Sequence, residues 1–340
     1  MTLNLRTIGR TPLSRDAMAE AIDRIVDGSL RPEQIDAFLR ALAGRGETAE
    51  ELAGAVDSLR RHAVALPLRN PAELCDTCGT GGDGHGTFNI STLAALAAAA
   101  AGVRIAKHGN RAATSRCGSA DVLAALGVNI DAPPARVGQS IDELGFGFCF
   151  APTFHPAMKT VAPIRKTLGI RTIFNLVGPL ANPAPLAAQI VGVSQPALLR
   201  PMAEALRELG VGHALVVHGL DGLDEVTLTT DTQGLEVRHR AIAPLRIWPE
   251  ALGLPRAPLE ALQGGDPERN AAIAREVLAG PPSPRRSVVA LNAACAIYVA
   301  GRAHSIAEGM AKAEAALESG RAKRLLEQVV ELTNRPINSP

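Results

Sequence analysis

The chain has 340 residues, a net charge of +1, 46% hydrophobic residues and only 3% aromatic ones. So neutral a chain carries no global field for nucleic acid or an anionic membrane, which leaves anion recognition to a local site. The length suggests two or three domains, and the shortage of aromatics demands a core of Ala, Leu, Val and Ile.

Segment 1–15 has three arginines and no apolar stretch, so no secretory signal is expected. No uncharged apolar run reaches the ~18 residues that span a bilayer. Residues 14–64 are expected to be wholly helical. Pro32 suits a first helical turn, Gly44 and Gly46 are expected to break the next helix, and Thr48 with Glu51 spells a capping box opening a helix at Ala49–Arg61. Pro67 and Pro71 then fix an extended linker. After it, short apolar runs at 74–78, 103–107, 147–151, 188–193 and 213–218 read as strands. Helices are expected at about 91–101, 119–126, 134–144, 156–168 and 196–209, with Gly102, Gly127, Gly145 and Gly210 as caps just past their ends. The runs 227–230 and 235–240 predict a hairpin turning at Gln233-Gly234 on the sheet edge, and the chain from Pro267 onward is helical. This alternation predicts an α/β fold: a small N-terminal helical domain, then a larger domain with a mostly parallel sheet flanked by helices. Ligands of such sheets bind at the carboxyl ends of strands.

Five cysteines, an odd number without framework spacing, predict reduced thiols in a cytoplasm. Cys75 and Cys78 form a C-x-x-C, but positions three apart on a strand face opposite ways, and no second ligand pair exists for zinc.

Two loops carry the chemistry. Gly79-Thr80-Gly81-Gly82-Asp83-Gly84 follows the first strand, where missing Cβ atoms let amides close on a polyanion. It satisfies G-x-G-x-x-G literally, but a dinucleotide site needs the helix to open inside the motif and an acid ~20 residues on. Here 85–90 intervene and the next strand ends at Lys107. Asn89, Ser91 and Thr92 put hydrogen-bonding groups at the following helix start, a role shared by ligand contacts and ordinary caps. The second loop gathers Lys107, Arg111 and Arg116 around Asn110, Thr114, Ser115 and Ser119, a combination of cations, hydroxyls and a helix start that fits a phosphate site best. His108 fits either a packed histidine or a site residue. Two such loops suggest a ligand with two separate phosphate groups. Asp224-Glu225, near Asp221, is either a solvated turn or a Mg²⁺ site, since magnesium takes one or two carboxylates plus water and phosphate oxygens. Arg165 and Lys166 read as surface charges unless the substrate brings a carboxylate.

The blocks GTGGDG at 79–84, NIST at 89–92, KHGNR at 107–111, GSADVL at 118–123, HPAMK at 155–159, RKTLGIRTIFNLVGPLANP at 165–183 and GLDE at 222–225 together resemble the bacterial anthranilate phosphoribosyltransferases over nearly the full length. The resemblance implies a helical domain of residues 1–70, joined by about 155–185, and an α/β domain of 71–154 and 186–340. It implies a hinge between them and a homodimer paired through the helical domains. The implied reaction transfers phosphoribose from phosphoribosyl pyrophosphate to the amine of anthranilate, with two Mg²⁺ ions. Gly79, Gly82, Asp83, Thr87, Asn89, Ile90, Ser91 and Thr92 would contact the donor. Lys107, His108, Gly109, Asn110, Arg111, Ala112, Ala113, Thr114, Ser115 and Ser119 would hold its phosphates. Ser91 and Glu225 would hold one ion, Asp224 and Glu225 the other. Gly79, Asn110 and Arg165 would meet anthranilate. No acid–base residue is singled out; Lys107, Arg111 and the metal would stabilise developing charge. Cys78, Thr114 and Cys117 depart from the family's usual residues. The alternatives are a pyrimidine nucleoside phosphorylase-like enzyme and a non-catalytic nucleic-acid-binding relative, the latter disfavoured by the neutral charge and the intact KHGNR block.

Overall fold

Ser14 accepts from the Ala17 amide at the head of helix α1 (Arg15–Val26), and α2 (Pro32–Arg45) and α3 (Ala49–Arg61) complete a three-helix bundle. The computed structural model describes residues 9–112 and 115–336, Lys166 through its backbone alone. The capping box is formed: Thr48 accepts from the Glu51 amide at 3.3 Å, and Glu51 accepts from the Thr48 amide at 2.9 Å. Gly44 lies inside α2 rather than ending it; the cap is Gly46, at a φ of 88°.

The large domain alternates strands and helices in chain order: β1 (Leu74–Gly79), α4 (Ile90–Ala100), β2 (Arg104–Gly109), α5 (Ser119–Ala125), α6 (Pro134–Leu144), β3 (Phe146–Phe150), the short α7 (Ala151–Phe154), α8 (Ala162–Leu168), α9 (Ile173–Leu180), β4 (Leu186–Gly192), α10 (Leu199–Glu208), β5 (His213–Gly219), β6 (Thr232–Arg238) and β7 (Ala241–Ile247). Four helices close the fold, α11 (Pro267–Ala279), α12 (Pro284–Val299), α13 (Ile306–Glu318) and α14 (Arg321–Asn334). The seven strands lie in the order β3-β2-β1-β4-β5-β6-β7, parallel through β5 and antiparallel beyond it. Because β2 and β4 flank β1, the chain winds outward in two directions, and a crevice opens at the carboxyl ends of β1 and β4.

Side chains alternate across this sheet as strand geometry requires. Cys75, Ile105, Ile190, Leu215 and Val217 face a core shared with α4 and the four closing helices. Val191, Ala214 and Val216 face a second core, built with α10, α9 and the bundle. Cys75 therefore sits in one core while Cys78 packs against the other, and all five cysteines are unpaired.

Two further expectations fail. The hairpin does not turn at Gln233-Gly234, which lie inside β6; it turns at His239 and Arg240, with φ of 48° and 66°. Both central residues of this tight turn need positive φ, and neither is a Gly or Asn that would announce it. The helix expected at 156–168 is broken: Pro156–Thr160 makes a 3₁₀ turn and α8 starts anew beyond it. Pro163 has no amide to continue the earlier turn, but it fits the first turn of a new helix. Sequence patterning also passes over α9, which carries Pro179 internally.

Asn182 ties the segment after α9 to the sheet. Its amide donates to Asp76 at 2.9 Å and to the Ala106 carbonyl at 2.7 Å, and its oxygen accepts from the Ala184 amide at 2.9 Å. Asp76 is fully buried, and that burial raises its pKa to about 6 against the lowering effects of Lys107 and Asn182. Removing the amide takes one donor from a buried carboxylate that keeps the His108 amide at 3.3 Å, so Asn182→Ala should destabilise the fold by about 1–3 kcal/mol in urea unfolding. A loss below about 0.5 kcal/mol would refute this assignment.

Candidate active site

The crevice beyond β1 and β4 is shaped by an approach that only glycine allows. A Cβ on residue 192 would stand 1.6 Å from the Asp224 carbonyl oxygen, and one on residue 79 would stand 2.4 Å from an Asp224 carboxylate oxygen. The loop after β5 thus folds down onto the ends of β1 and β4. Its descent is fixed behind by Asn292 of α12, which accepts from the Val226 amide at 3.0 Å and donates to the Val226 carbonyl at 2.7 Å. Nothing in the sequence pattern marks Asn292 for this; a lone Asn in an apolar helix is the only cue.

Asp224 accepts from the Gly81 amide at 2.7 Å, and Glu225 accepts from the Ser91 amide at 3.0 Å at the start of α4. Gly79, Ser91, Asp224 and Glu225, four of the residues singled out from the motifs, are therefore brought together, with Gly81 beside them. Burial, then repulsion from Asp83, pushes the Asp224 carboxyl above its ordinary range; burial, then repulsion from Asp224, pushes Glu225 up, opposed by Lys107. Two buried carboxylates thus lie side by side within reach of the Asp83 charge, with one buried cation beneath. Among the described residues no three carboxylate, imidazole or thiol groups converge into a cage for a metal ion. Two hard carboxylates with surplus negative charge do fit Mg²⁺, which completes its shell with water and phosphate oxygens.

Lys107 is not in the second loop's rim. It is buried, and its ammonium donates to the Thr77 carbonyl at 2.6 Å, beneath the carboxylates. The loop above it is braced from within by Asp121, a residue sequence reasoning missed. Asp121 accepts from the Ala112 and Gly118 amides, each at 2.9 Å, and pairs with Arg111 at 3.0 Å. Asn110 accepts from Ala120 and Ser119 through its carbonyl, at 3.1 and 3.3 Å. Ser115 and Arg116 are exposed on the same loop, whereas Ala113 and Thr114 lie outside the described residues. The Cys117 thiol is buried, which pushes its pKa up to about 11.

Asn89 joins the two loops rather than projecting from them. It donates to the Cys117 carbonyl at 3.0 Å and accepts from Asn270 of α11 at 2.9 Å. Ile90 and Thr92 are buried in the helix behind. Gly82 is exposed, Asp83 accepts from the His85 amide at 3.2 Å, and Thr87 bridges to Gln263. Arg165 is half-buried with its guanidinium 5.7 Å from the Phe174 ring centroid and no carboxylate partner among the described residues.

His108 turns away from the phosphate loop. Its Nδ1 donates to the Gly178 carbonyl at 3.1 Å, since a carbonyl can only accept, and its ring meets His155 edge-on at 5.2 Å. Burial, then His155, pushes its pKa down to about 3.

Comparison with known proteins shows the family to which the chain belongs. Residues 71–323 match the model of the α/β domain of a glycosyl transferase family, and residues 5–63 match that family's helical bundle domain. An anthranilate phosphoribosyltransferase of Symbiobacterium thermophilum is 49% identical over 332 residues, covering 97% of both chains. The chain belongs to the anthranilate phosphoribosyltransferase family. It is thus a glycosyltransferase of tryptophan biosynthesis. The crystal structure of the Thermus thermophilus member superposes with a TM-score of 0.92 at 47% identity, covering 97% of this chain and 99% of that one. The Saccharomyces cerevisiae enzyme, solved with PRPP and Mg, gives a TM-score of 0.88 at 30% identity over 98% of each chain. No helix among the described residues is long and apolar enough to cross a membrane.

Because the folded pKa of His108 lies below the unfolded one, its stabilising contribution is complete above the unfolded value and is lost as the pH falls toward about 3. Between about pH 7 and about pH 5 the wild type should lose about 2 kcal/mol more unfolding free energy than His108→Gln. Equal acid losses in the two proteins would show that His108 titrates normally.

Proposed function

We propose that the chain moves the 5-phosphoribosyl group of phosphoribosyl pyrophosphate onto the amine of anthranilate, giving N-(5-phosphoribosyl)anthranilate and pyrophosphate. The observation that carries this is the convergence of the Asp224-Glu225 loop on Gly79, Gly81 and the Ser91 amide at the switch point of the sheet. Such a place suits a ligand that is both polyphosphorylated and metal-loaded.

In this reading the ribose C1–O bond to pyrophosphate breaks, the C1–N bond forms, and the amine sheds a proton to water. Negative charge grows on the departing pyrophosphate, so the amides of 79–86 and Arg111, oriented by Asp121, act most strongly in the transition state. Magnesium, held by Ser91 with Glu225 and by Asp224 with Glu225, supplies positive charge to the leaving oxygens. Lys107 is buried, with its ammonium on the Thr77 carbonyl. It opposes the upward push on the Glu225 carboxyl from burial and Asp224. The aromatic amine is neutral and nucleophilic, so positioning matters more than base catalysis. Arg165 pairs with the anthranilate carboxylate once the helical domain closes on the strand ends and excludes water. A homodimer paired through the helical bundles and a cytoplasmic location belong to the same proposal, supported by the family and by five unpaired thiols. Sedimentation at twice the chain mass of 35.4 kDa tests the first.

The decisive assay is loss of anthranilate fluorescence, with and without phosphoribosyl pyrophosphate and Mg²⁺. Consumption independent of either addition would end this reading. Asp224→Asn with Glu225→Gln should lower kcat by about a hundredfold and raise the Mg²⁺ requirement; an unaltered Mg²⁺ dependence would assign these carboxylates to an ordinary turn. Arg165→Ala should raise the anthranilate KM about tenfold or more with little change in kcat, because the pair exists in ground and transition states alike. An unchanged KM would remove Arg165 from the site.

A further inference from the structure

The last turn of α9 is held from both domains at once. A helix leaves its final carbonyls without internal partners, and here three successive ones are taken by different elements. His108 of β2 binds the Gly178 carbonyl at 3.1 Å. Gln189 of β4 donates to the Pro179 carbonyl at 2.6 Å, joined by the Cys78 thiol of β1 at 3.6 Å. The Leu180 carbonyl belongs to the bundle: Arg60, in the last turn of α3, donates to it at 2.9 Å. At the other end of α9, the buried Phe174 lies under the Arg165 guanidinium at 5.7 Å.

We infer that α9 is a rigid connector through which Arg60 sets the position of Arg165, making Arg60 and Phe174 positioning residues for the acceptor. The connector is eight residues long, about 12 Å of helix at ~1.5 Å per residue, too short to bend without breaking its own ladder. Three of its end contacts come from strand tips of the large domain, so they register α9 to the donor site. The fourth comes from the helical bundle, against which Phe174, Leu176, Val177 and Leu180 also pack, and it is the one polar contact that moves with the bundle. Where the bundle sits therefore dictates the tilt of α9, and Phe174 carries that tilt to the guanidinium. Arg60 is suited to this by its environment: it is mostly buried against the segment, with one guanidinium nitrogen bonded to Leu180 and its Nε without a partner. Loss of its single bond leaves nothing else on α3 to hold the Leu180 carbonyl. The inference rests on the proposed pairing of Arg165 with the acceptor carboxylate.

A double-mutant cycle tests it. Arg60→Met, which keeps the buried stem and removes the donors, should raise the anthranilate KM about three- to tenfold and leave the phosphoribosyl pyrophosphate KM within about twofold. Phe174→Leu should do the same, and Arg60→Lys, which keeps a donor, should restore near wild-type KM. In an Arg165→Ala background, Arg60→Met should add nothing. Factors that multiply instead would mean that Arg60 acts independently of Arg165 and would overturn the inference. Hydrogen exchange separates this from failure of the acceptor reading. Arg60→Met should speed exchange across both α8 and α9, whatever Arg165 binds. Unchanged exchange there overturns the connector itself, whereas an unchanged anthranilate KM in the Arg165→Ala single variant overturns the acceptor reading.

Discussion

The main-chain oxygen of Asp224 occupies the space a side chain on residue 192 would need, with 1.6 Å to an added Cβ. Everything in the site follows from that approach. It drops the loop after β5 onto two strand ends, where its carboxylates meet the amides of Gly81 and Ser91 instead of bulk water. The second core-facing anchor, Asn292, prevents the loop from relaxing outward. Two acids are thereby held where burial raises both pKa values, a cost the fold bears only because donors and Lys107 offset part of it. A site so arranged prefers to gain positive charge.

The same economy explains why the chain is nearly neutral overall, with a net charge of +1. Lys107 answers Glu225 and Asp76 from below, and Arg111 answers Asp121 from the side. The loops therefore present oriented amides rather than a field of free cations. Such a surface distinguishes a compact phosphorylated sugar from a long polyanion, since amides act only at contact distance while net charge acts over a Debye length.

Much of this is legible in the sequence. The core strands and helices stand out because a buried sheet imposes continuous apolar runs and glycine caps. Both loops stand out because runs without side chains and clustered cations are costly unless a ligand uses them. The failures have common causes. His239-Arg240 makes a positive-φ turn without the residues that usually make one. Pro163 restarts a helix where spacing predicts one continuous element. Lys107 and His108 fall to the phosphate loop by their neighbours in sequence, although both turn inward. Asp121, Asn182 and Asn292 act on backbone far from them in sequence or hidden within a loop, and no periodicity encodes such a partner.

The alternation of β strands resolves why Lys107 and His108 could share a motif and not a task. On β1 and β2 the positions Thr77 and Lys107 face α4, and there the Thr77 hydroxyl donates to the Ser91 carbonyl at 2.9 Å while Lys107 lies beneath the carboxylates. Asp76, Cys78, His108 and, on β4, Gln189 face the opposite side, where each binds α9 or the segment after it. One face of the strand tips thus fixes the donor loops, and the other fixes the connector to the helical bundle. A side-chain period of two lets neighbouring residues of the same strands hold the loops on one face and α9 on the other. Cys78, the departure from family habit, fits this division as a small neutral donor, its thiol pushed well up by burial, so that it adds a contact to the Pro179 carbonyl without placing a charge there.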